Sequence, residues 1–486
     1  MQPTSQRIIV VSNRLPLTLS SEEGTLRSKP ASGGLISAME PVLRKLGGFW
    51  VGYPGIAENP MVPEALQQAA QNRSYQYVPV YLSHEERKNY YEGFSNQVIW
   101  PLFHDLQSRC NFNPTYWRYY LSVNERFATI AEDIAGPSDL IWIHDYQLMQ
   151  VARVIRERKP AARLAFFLHT PFPSPDIFAK LPWRVQILEG LLGHDLIGMQ
   201  TLRDLRNFLS CLRIFPERVQ IEREGNSPVV HFGGRKTYAG AFPISIDFEA
   251  YSRDAEKPLV LAKVAELKRQ AASSKIVLGV DRLDYTKGIT ERIRAFGDYL
   301  RDNQAARGNV SLYQVVVPSR ESIPEYQRLQ EEIEHTVASV NGQWGQPAWT
   351  PIVYMHRPIP REELLAFYRV ADVALITPLK DGMNLVAKEY CAAKNDADGV
   401  LILSEFAGAA AEFEGMAILV NPYDEEGVAR AIERALAMSG PERRNRMRKL
   451  RRQVQRFDLI HWRDTMFSAM QHIPWTDTLA SSATGD

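Results

Sequence analysis

This sequence has few of the features that commit a chain to secretion, a membrane or a fibre. Its three cysteines, Cys110, Cys211 and Cys391, are far apart and lack metal-ligand spacing, which argues against a disulfide framework and suits a reducing compartment. No apolar run approaches the ~20 residues that a bilayer-spanning helix needs. The opening MQPTSQRIIVVSNR passes straight into a strand-like run, without the charged-then-apolar order of a signal peptide. Neither sign of charge is in excess, with 57 Lys and Arg against 56 Asp and Glu. No global field therefore points to nucleic acid or an anionic membrane, and any anionic ligand must be held by a few placed cations. Repeats and low-complexity blocks are absent, as are GxGxxG and GxxxxGK[ST], so dinucleotide oxidoreductase and P-loop readings lose their main support. The expectation is a cytoplasmic protein with no nucleic-acid or membrane partner.

What is present is a chain of 486 residues, 45% apolar and 23% charged. That is ordinary for a globular protein, too long for one core and suited to two domains of about two hundred residues each. Runs rich in Val, Ile and Leu at 7–12, 139–143, 164–168, 275–280, 312–317 and 372–376 read as buried parallel strands. Between the second and third, Leu148, Val151, Val154 and Ile155 keep helical spacing, so strand, helix and strand make a βαβ unit. The same alternation in both halves predicts an α/β protein of two doubly wound parallel sheets, residues 1–245 and 246–458. The boundary is expected near 242–257, where strand-like FPISID gives way to the polar, helix-poor FEAYSRDAEKP. A helix over 459–473 is expected to pack back on the first half, and 474–486 to be a disordered tail. In the basic run Arg443–Arg456, Met447, Leu450 and Val454 keep helical spacing, which reads as a solvated amphipathic helix rather than a nucleic-acid element.

In open parallel sheets, ligands bind outside the carboxyl ends of the strands. Here those ends are polar. The first runs into Ser12-Asn13-Arg14, the second into His144-Asp145-Tyr146 and the third into His169-Thr170-Pro171. In the other half, strands run into Asp281-Arg282-Leu283-Asp284-Tyr285-Thr286-Lys287-Gly288, Pro318-Ser319-Arg320 and Asp381-Gly382-Met383-Asn384. A single Asp or His in such a place is more often a cap or a satisfied core group, but six polar ends at one topological position favour a cleft between two sheets. Arg282 and Lys287 can neutralise a diphosphate leaving group, or can simply pair with Asp281 or Asp284. In PLKDGMNLVAKEY a tight turn at Gly382 leads into a helix whose first N–H groups suit phosphate or sugar hydroxyls. Glu389, on the first turns of that helix, can take both hydroxyls of a ribose or remain a surface charge. Tyr90, Tyr91, Phe94, Trp100 and Trp50 offer faces for sugar rings, although such residues more often fill a core.

From about Arg7 to Ile473 the chain resembles the trehalose-6-phosphate synthases, retaining glycosyltransferases of family 20 with the GT-B fold. The matching stretches, in the family's order, are VVSNRLP, SGGL, YYEGFSNQVIWP, WIHDYQLM, FFLHTPFPSPDIF, DRLDYTKGI, PLKDGMNLVAKEY and LSEFAGAA. The resemblance implies two Rossmann-like domains with the active site between them, UDP-glucose as donor and glucose-6-phosphate as acceptor. On the donor side it implies Arg282 and Lys287 on the diphosphate, Glu389 on the ribose and backbone N–H groups near Leu385 and Val386 on phosphate. Asp381, Gly382, Met383 and Asn384 would hold the glucose hydroxyls, with His169 on that sugar and Gly34 of the SGGL loop closing over the donor. For the acceptor it implies Arg14 and Arg320 on the phosphate, and Trp50, Tyr91, Trp100, Asp145 and Gln200 along the sugar.

Two segments depart from the family pattern. Gln147 stands where HDYHL is usual, and is expected to begin a helix beyond the reactive side chains. His356-Arg357-Pro358-Ile359-Pro360 is unlike the relatives, which leaves the base of the nucleotide open. The resemblance further implies a front-face transfer, in which the departing phosphate helps deprotonate the acceptor hydroxyl while Asp145 and His169 orient sugars. With Arg282 and Lys287 as the cations, no metal and no other cofactor is expected. Larger relatives append a phosphatase-like domain. This chain ends soon after Ile473, so it is expected to release a phosphorylated product to a separate phosphatase. A homo-oligomer is compatible with the sequence. Three other readings stay open at this stage: a sister enzyme using glycerol-3-phosphate or a cyclitol phosphate, a catalytically silent sugar-phosphate sensor, and a plain two-domain nucleotide-binding protein.

Overall fold

A computed structural model describes residues 7–22, 25–30, 34–225, 227–271, 275–320 and 323–473. The tail expected over 474–486 lies outside the described residues. Of those described, the ones up to Pro243 together with those from Arg463 onward form one compact unit, and Ile244–Trp462 form a second.

The first unit is built on the strands β1 (Ile8–Arg14), β2 (Leu17–Glu22), β3 (Thr25–Pro30), β4 (Gly48–Tyr53), β5 (Tyr75–Pro79), β6 (Leu140–His144), β7 (Arg163–Phe167), β8 (Leu196–Met199), β9 (Gln220–Glu224), β10 (Ser227–Phe232) and β11 (Arg235–Ala241). Nine of them form one sheet in the order β5-β4-β1-β6-β7-β8-β11-β10-β9, parallel from β5 to β11, while β2 and β3 make a separate hairpin. Ile8–Val11 and Leu140–His144 are buried throughout, as strands covered on both faces must be. From Arg463 onward the chain returns to this sheet, where the Phe467 ring meets the edge of Trp142 at 5.6 Å.

The second unit has six parallel strands, β12 (Lys275–Arg282), β13 (Val310–Val317), β14 (Ile352–His356), β15 (Val373–Ile376), β16 (Val400–Ser404) and β17 (Ile418–Val420), in the order β14-β13-β12-β15-β16-β17. In both sheets the first strand is central and later strands are added on either side. The order therefore reverses between β1 and β6 in one unit, and between β12 and β15 in the other. That is the strand order of a Rossmann-like sheet, and the reversal opens a crevice at the carboxyl ends.

Three local expectations are corrected. The stretch read as poor in helix, 248–258, holds the helix Phe248–Asp254 and the first residue of the helix Pro258–Gln270. Asp247 caps the first by accepting the Ala250 N–H at 2.9 Å, Phe248 anchors it in the core, and Pro258 occupies the first turn of the second. FPISID, read as a strand, joins no ladder beyond one bond from the Phe242 N–H to the Met199 carbonyl. Gln147 sits in a 3-10 turn, Tyr146–Leu148, and the helix starts at Val151. The basic run forms the helix Gly440–Arg456 with Met447, Leu450 and Val454 inward. Among the described residues no helix is long and apolar enough to cross a membrane.

One buried ion pair organises the second sheet. Arg292, with its side chain fully enclosed, pairs with Asp281 at the end of β12, donates to Thr377 Oγ1 at 3.0 Å beyond β15 and to Gln314 Oε1 at 3.2 Å on β13, and meets the Lys287 carbonyl at 3.2 Å. Breaking such a pair from one side strands a charge in the core. Arg292→Met should cost about 3–5 kcal/mol of stability. Adding Asp281→Leu should restore part of it, and equal urea midpoints for wild type and the single variant would count against this account.

Candidate functional site

At the β12–β15 crevice, three sequence motifs converge. Lys287 ends the turn Tyr285–Lys287, and its ammonium donates to Asp381 Oδ2 at 2.6 Å. The same Asp381 oxygen accepts the Asn384 amide at 3.1 Å. Gly288 follows in the left-handed region, φ 61°, where a Cβ would also strike the Thr377 carbonyl. Arg282, the last residue of β12, is exposed at the same strand end. Of the acidic neighbours, Asp281 pairs with Arg292 and Lys287 pairs with Asp381, while Asp284 remains electrostatically coupled to Arg282 and Lys287.

The loop after β15 is held by close backbone packing. Gly382 and Met383 are buried, a Cβ on Gly408 would collide with the Gly382 carbonyl, and the Ala409 N–H donates to the Met383 carbonyl at 2.8 Å. Asn384 takes φ 75° and caps the helix Leu385–Ala393 by accepting the Ala387 N–H at 3.1 Å. Leu385 and Val386 are its first two residues, where a helix leaves N–H groups outside its own ladder. On the same helix Glu389 is partly exposed and accepts the Tyr368 hydroxyl at 2.8 Å; burial raises its pKa against the pull of the Tyr368 and Tyr251 hydroxyls.

Arg320 follows β13 in the left-handed region, φ 52°, a strained conformation for a long side chain. Its guanidinium donates to the Tyr326 hydroxyl at 2.6 Å and lies 3.6 Å from Asp284 Oδ2. Asp284 is almost fully enclosed, and its other oxygen accepts both the N–H and the hydroxyl of Thr286, at 3.0 and 2.9 Å. Burial would raise its pKa, but Arg320, Lys287 and Arg282 outweigh that and hold it low. One carboxylate thus ties Arg320 to the loop that carries Arg282 and Lys287. Beyond β14, Arg357 of the departing segment pairs with Glu363 at 2.6 Å.

In the first unit, Arg14 ends β1, exposed, with its guanidinium 5.8 Å from the centre of the Tyr91 ring. Tyr91 lies in an element that the sequence reading did not foresee, a π-helix spanning Arg87–Ile99, and Trp100 directly follows it and closes it with its N–H on the Ser95 carbonyl. Its wider turn lets Tyr90 reach Asn13 Oδ1 at 3.0 Å and the Asn96 amide reach the Tyr91 carbonyl at 2.7 Å. Trp50 is 1% exposed, and its indole N–H donates to Ser12 Oγ at 2.8 Å. Trp100 is also buried, against His104 and Tyr146.

Asp145, His169 and Gln200 are brought together at the ends of β6, β7 and β8. Asp145 turns the chain with φ 74°, and its carboxylate accepts the His169 backbone N–H at 3.2 Å. The Gln200 amide donates to the His169 carbonyl at 3.3 Å, although Gln200 itself is enclosed. His169 Nε2 lies 3.3 Å from Nδ1 of the fully buried His144. Desolvation pushes the His169 pKa down to about 3, and burial and then the neighbouring His169 push His144 well below its ordinary value, so both rings are neutral near pH 7. Gly34 opens the helix Gly34–Leu46; the preceding Ser32 and Gly33 of the SGGL segment lie outside the described residues. Among the described residues no three His, Cys, Asp or Glu side chains group as a metal site would need. Tyr368 is not marked by the sequence at all, and His144 and Asp284 appear there only as polar strand-end residues, because nothing in their spacing marks a side chain that acts on another side chain.

The sequence model of Glycosyltransferase family 20 matches residues 6–472. A trehalose-6-phosphate synthase of Mycolicibacterium gilvum is 42% identical over 468 residues, 95% of this chain and 93% of that protein. The structure is similar to the Escherichia coli enzyme bound with UDP-2-fluoro glucose, with a TM-score of 0.86, 34% identity and coverage of 96% of this chain and 99% of that one. It is equally similar to an α,α-trehalose-phosphate synthase (UDP-forming) from Burkholderia xenovorans in complex with glucose-6-phosphate, with a TM-score of 0.86, 33% identity and coverage of 96% and 100%.

The His169 environment makes a pH prediction. Its folded pKa, about 3, lies below the unfolded value near 6.5, so the unfolded chain takes up the proton first. Stability contributed at this residue is present above pH ~6.5 and is lost as pH falls toward the folded pKa. An NMR titration, with the signal assigned by its loss in His169→Gln, should show no His169 inflection between pH 8 and 5. An inflection near 6.5 would overturn the assignment of a desolvated ring.

Proposed function

The chain belongs to glycosyltransferase family 20, and from that premise we propose that it is a retaining trehalose-6-phosphate synthase. It transfers glucose from UDP-glucose to glucose-6-phosphate and releases UDP and α,α-trehalose 6-phosphate. The observation that carries this reading is the β12–β15 crevice, where Arg282, Lys287, Asp381, Asn384 and the start of the helix Leu385–Ala393 are assembled by strand ends and close loop packing. Such a crevice has the cations, N–H groups and hydroxyl acceptors that a nucleotide sugar needs.

On this reading Arg282, Lys287 and the Leu385 and Val386 N–H groups take the diphosphate, and Glu389 takes the ribose. Asp381, Gly382, Met383, Asn384 and His169 hold the transferred glucose, with Gly34 near the donor. Arg14 and Arg320 hold the acceptor phosphate, since planar guanidinium donors meet phosphate oxygens in pairs. Tyr91, Trp100, Asp145 and Gln200 shape the acceptor side, and Trp50 supports it from behind through Ser12.

A double displacement needs a carboxylate free to attack the anomeric carbon. The resemblance to the family implies a front-face transfer instead, with Asp145 on the His169 N–H and Asp381 on Lys287 and Asn384 orienting the sugars. The leaving diphosphate oxygen takes the proton of the acceptor hydroxyl as the new bond forms, and Arg282 and Lys287 stabilise the charge that builds on it. These cations do the work a metal would otherwise do, in a cytoplasmic setting, and the phosphorylated product passes to a separate phosphatase.

Arg282→Ala and Lys287→Ala should each slow turnover by roughly 3–4 kcal/mol of barrier. Activity should survive chelation and dialysis. Wild-type turnover in both variants, or a loss that magnesium or manganese restores, would overturn the cation assignment. The deciding experiment for the whole reading is an acceptor screen with UDP-glucose and GDP-glucose against glucose-6-phosphate, glucose, glycerol-3-phosphate and fructose-6-phosphate. UDP-glucose with glucose-6-phosphate should be the fastest pair and give an α,α-1,1 linkage. Preference for glycerol-3-phosphate would sink the trehalose assignment.

A separate prediction concerns the acceptor clamp. Arg320→Ala should raise the apparent KM for glucose-6-phosphate far more than that for UDP-glucose. Equal effects on both substrates, or unphosphorylated glucose serving equally well, would remove Arg320 from the phosphate.

A further inference from the structure

His144 closes β6 in the interior, and nothing in the reading above uses it. Its Nδ1 is 3.3 Å from His169 Nε2, and the rings lie 5.5 Å apart at 35°. Two neutral imidazoles at this distance share one proton, and which ring donates it depends on what their remaining nitrogens meet. His144 Nε2 is buried with no hydrogen-bond partner among the described residues. If that nitrogen carried the proton, a buried N–H would be orphaned, which folded proteins seldom tolerate. The economical arrangement puts the His144 proton on Nδ1, where it donates to His169 Nε2. His169 then carries its own proton on Nδ1.

Every other part of His169 is held. Its backbone N–H is on Asp145, its carbonyl accepts from Gln200, and the Phe167 ring meets it edge-on with centroids 4.8 Å apart. The residue is half-buried, and among the described residues Nδ1 is the ring nitrogen left without a hydrogen-bond partner.

We propose that His144 is a positioning residue that fixes His169 in the Nδ1–H tautomer, so that His169 presents a hydrogen-bond donor to a hydroxyl oxygen of the transferred sugar. The tautomer follows from the two imidazoles and their burial. The identity of the acceptor rests on the reading that His169 contacts that sugar.

The test begins on the resting wild-type chain with histidine-selective ¹⁵N labelling. His169 should show a protonated Nδ1 and an imine-like Nε2, and the reverse pattern would overturn the proposal whatever the enzyme's activity. In His144→Asn, whose side-chain amide can stand in for Nδ1–H, that pattern and the kinetics should be largely kept. In His144→Leu the tautomers should mix, and kcat/KM for UDP-glucose should fall roughly tenfold with UDP affinity unchanged, as for one lost oriented hydrogen bond. A spectrum unchanged by His144→Leu would also overturn the proposal. If the wild-type spectrum and its shift in His144→Leu are as stated but kcat/KM does not move, the tautomer stands and the placement of His169 on the sugar falls. Should His144→Leu fail to fold, the wild-type spectrum and the Asn variant still decide.

Discussion

The second sheet depends on a charge buried where no water can reach it. Burying the Arg292 guanidinium would be prohibitive without partners, and the chain surrounds it with a carboxylate, a hydroxyl, an amide oxygen and a backbone carbonyl. Those four partners come from β12, from β13, from the residue after β15 and from Lys287. One side chain therefore sets how three strand ends stand relative to a single loop. Gly279 is part of the same device, since a Cβ there would collide with both Gln314 and Arg292. Lys287 is thus placed by a side chain that is itself fully enclosed.

The first unit reaches a comparable result with weaker parts. Its strand ends are joined by Asp145 on the His169 N–H, Gln200 on the His169 carbonyl and His144 on the His169 ring, each a hydrogen bond with at most one charged member. In both units polar groups stand at the carboxyl ends of the strands, where His144 ends β6 and Asp145 follows it beside the point of reversal, and His169 and Gln200 follow the next two strands.

Much of this could be read from sequence. The runs at 7–12, 139–143, 275–280 and 312–317 fall on β1, β6, β12 and β13, because a parallel strand buried on both faces leaves an unbroken apolar signal. The amphipathic reading of 443–456 held because three apolar residues at helical spacing face one core. What stayed hidden was structure without a period. The π-helix Arg87–Ile99 matches neither a repeat of 3.6 nor one of 2, and the helix Phe248–Asp254 is set by one cap and one anchor in an otherwise polar stretch. Trp50 is enclosed and donates to Ser12 Oγ, a contact that aromatic composition alone does not announce. Spacing names residues at strand ends, but it cannot say that Asp284 answers Arg320 or that Asp381 answers Lys287.

That last pairing has a consequence for the reach of the site's electric field. A lysine 2.6 Å from a carboxylate is, seen from afar, a dipole, and its potential decays much faster than that of a lone charge. An approaching anion senses Arg282, exposed at the strand end, well before it senses Lys287. On the proposed reading, capture from solution and grip at contact are thereby divided between two cations five residues apart in one loop. Salt in the medium, which screens long-range attraction first, would slow arrival through the one while scarcely loosening the hold of the other.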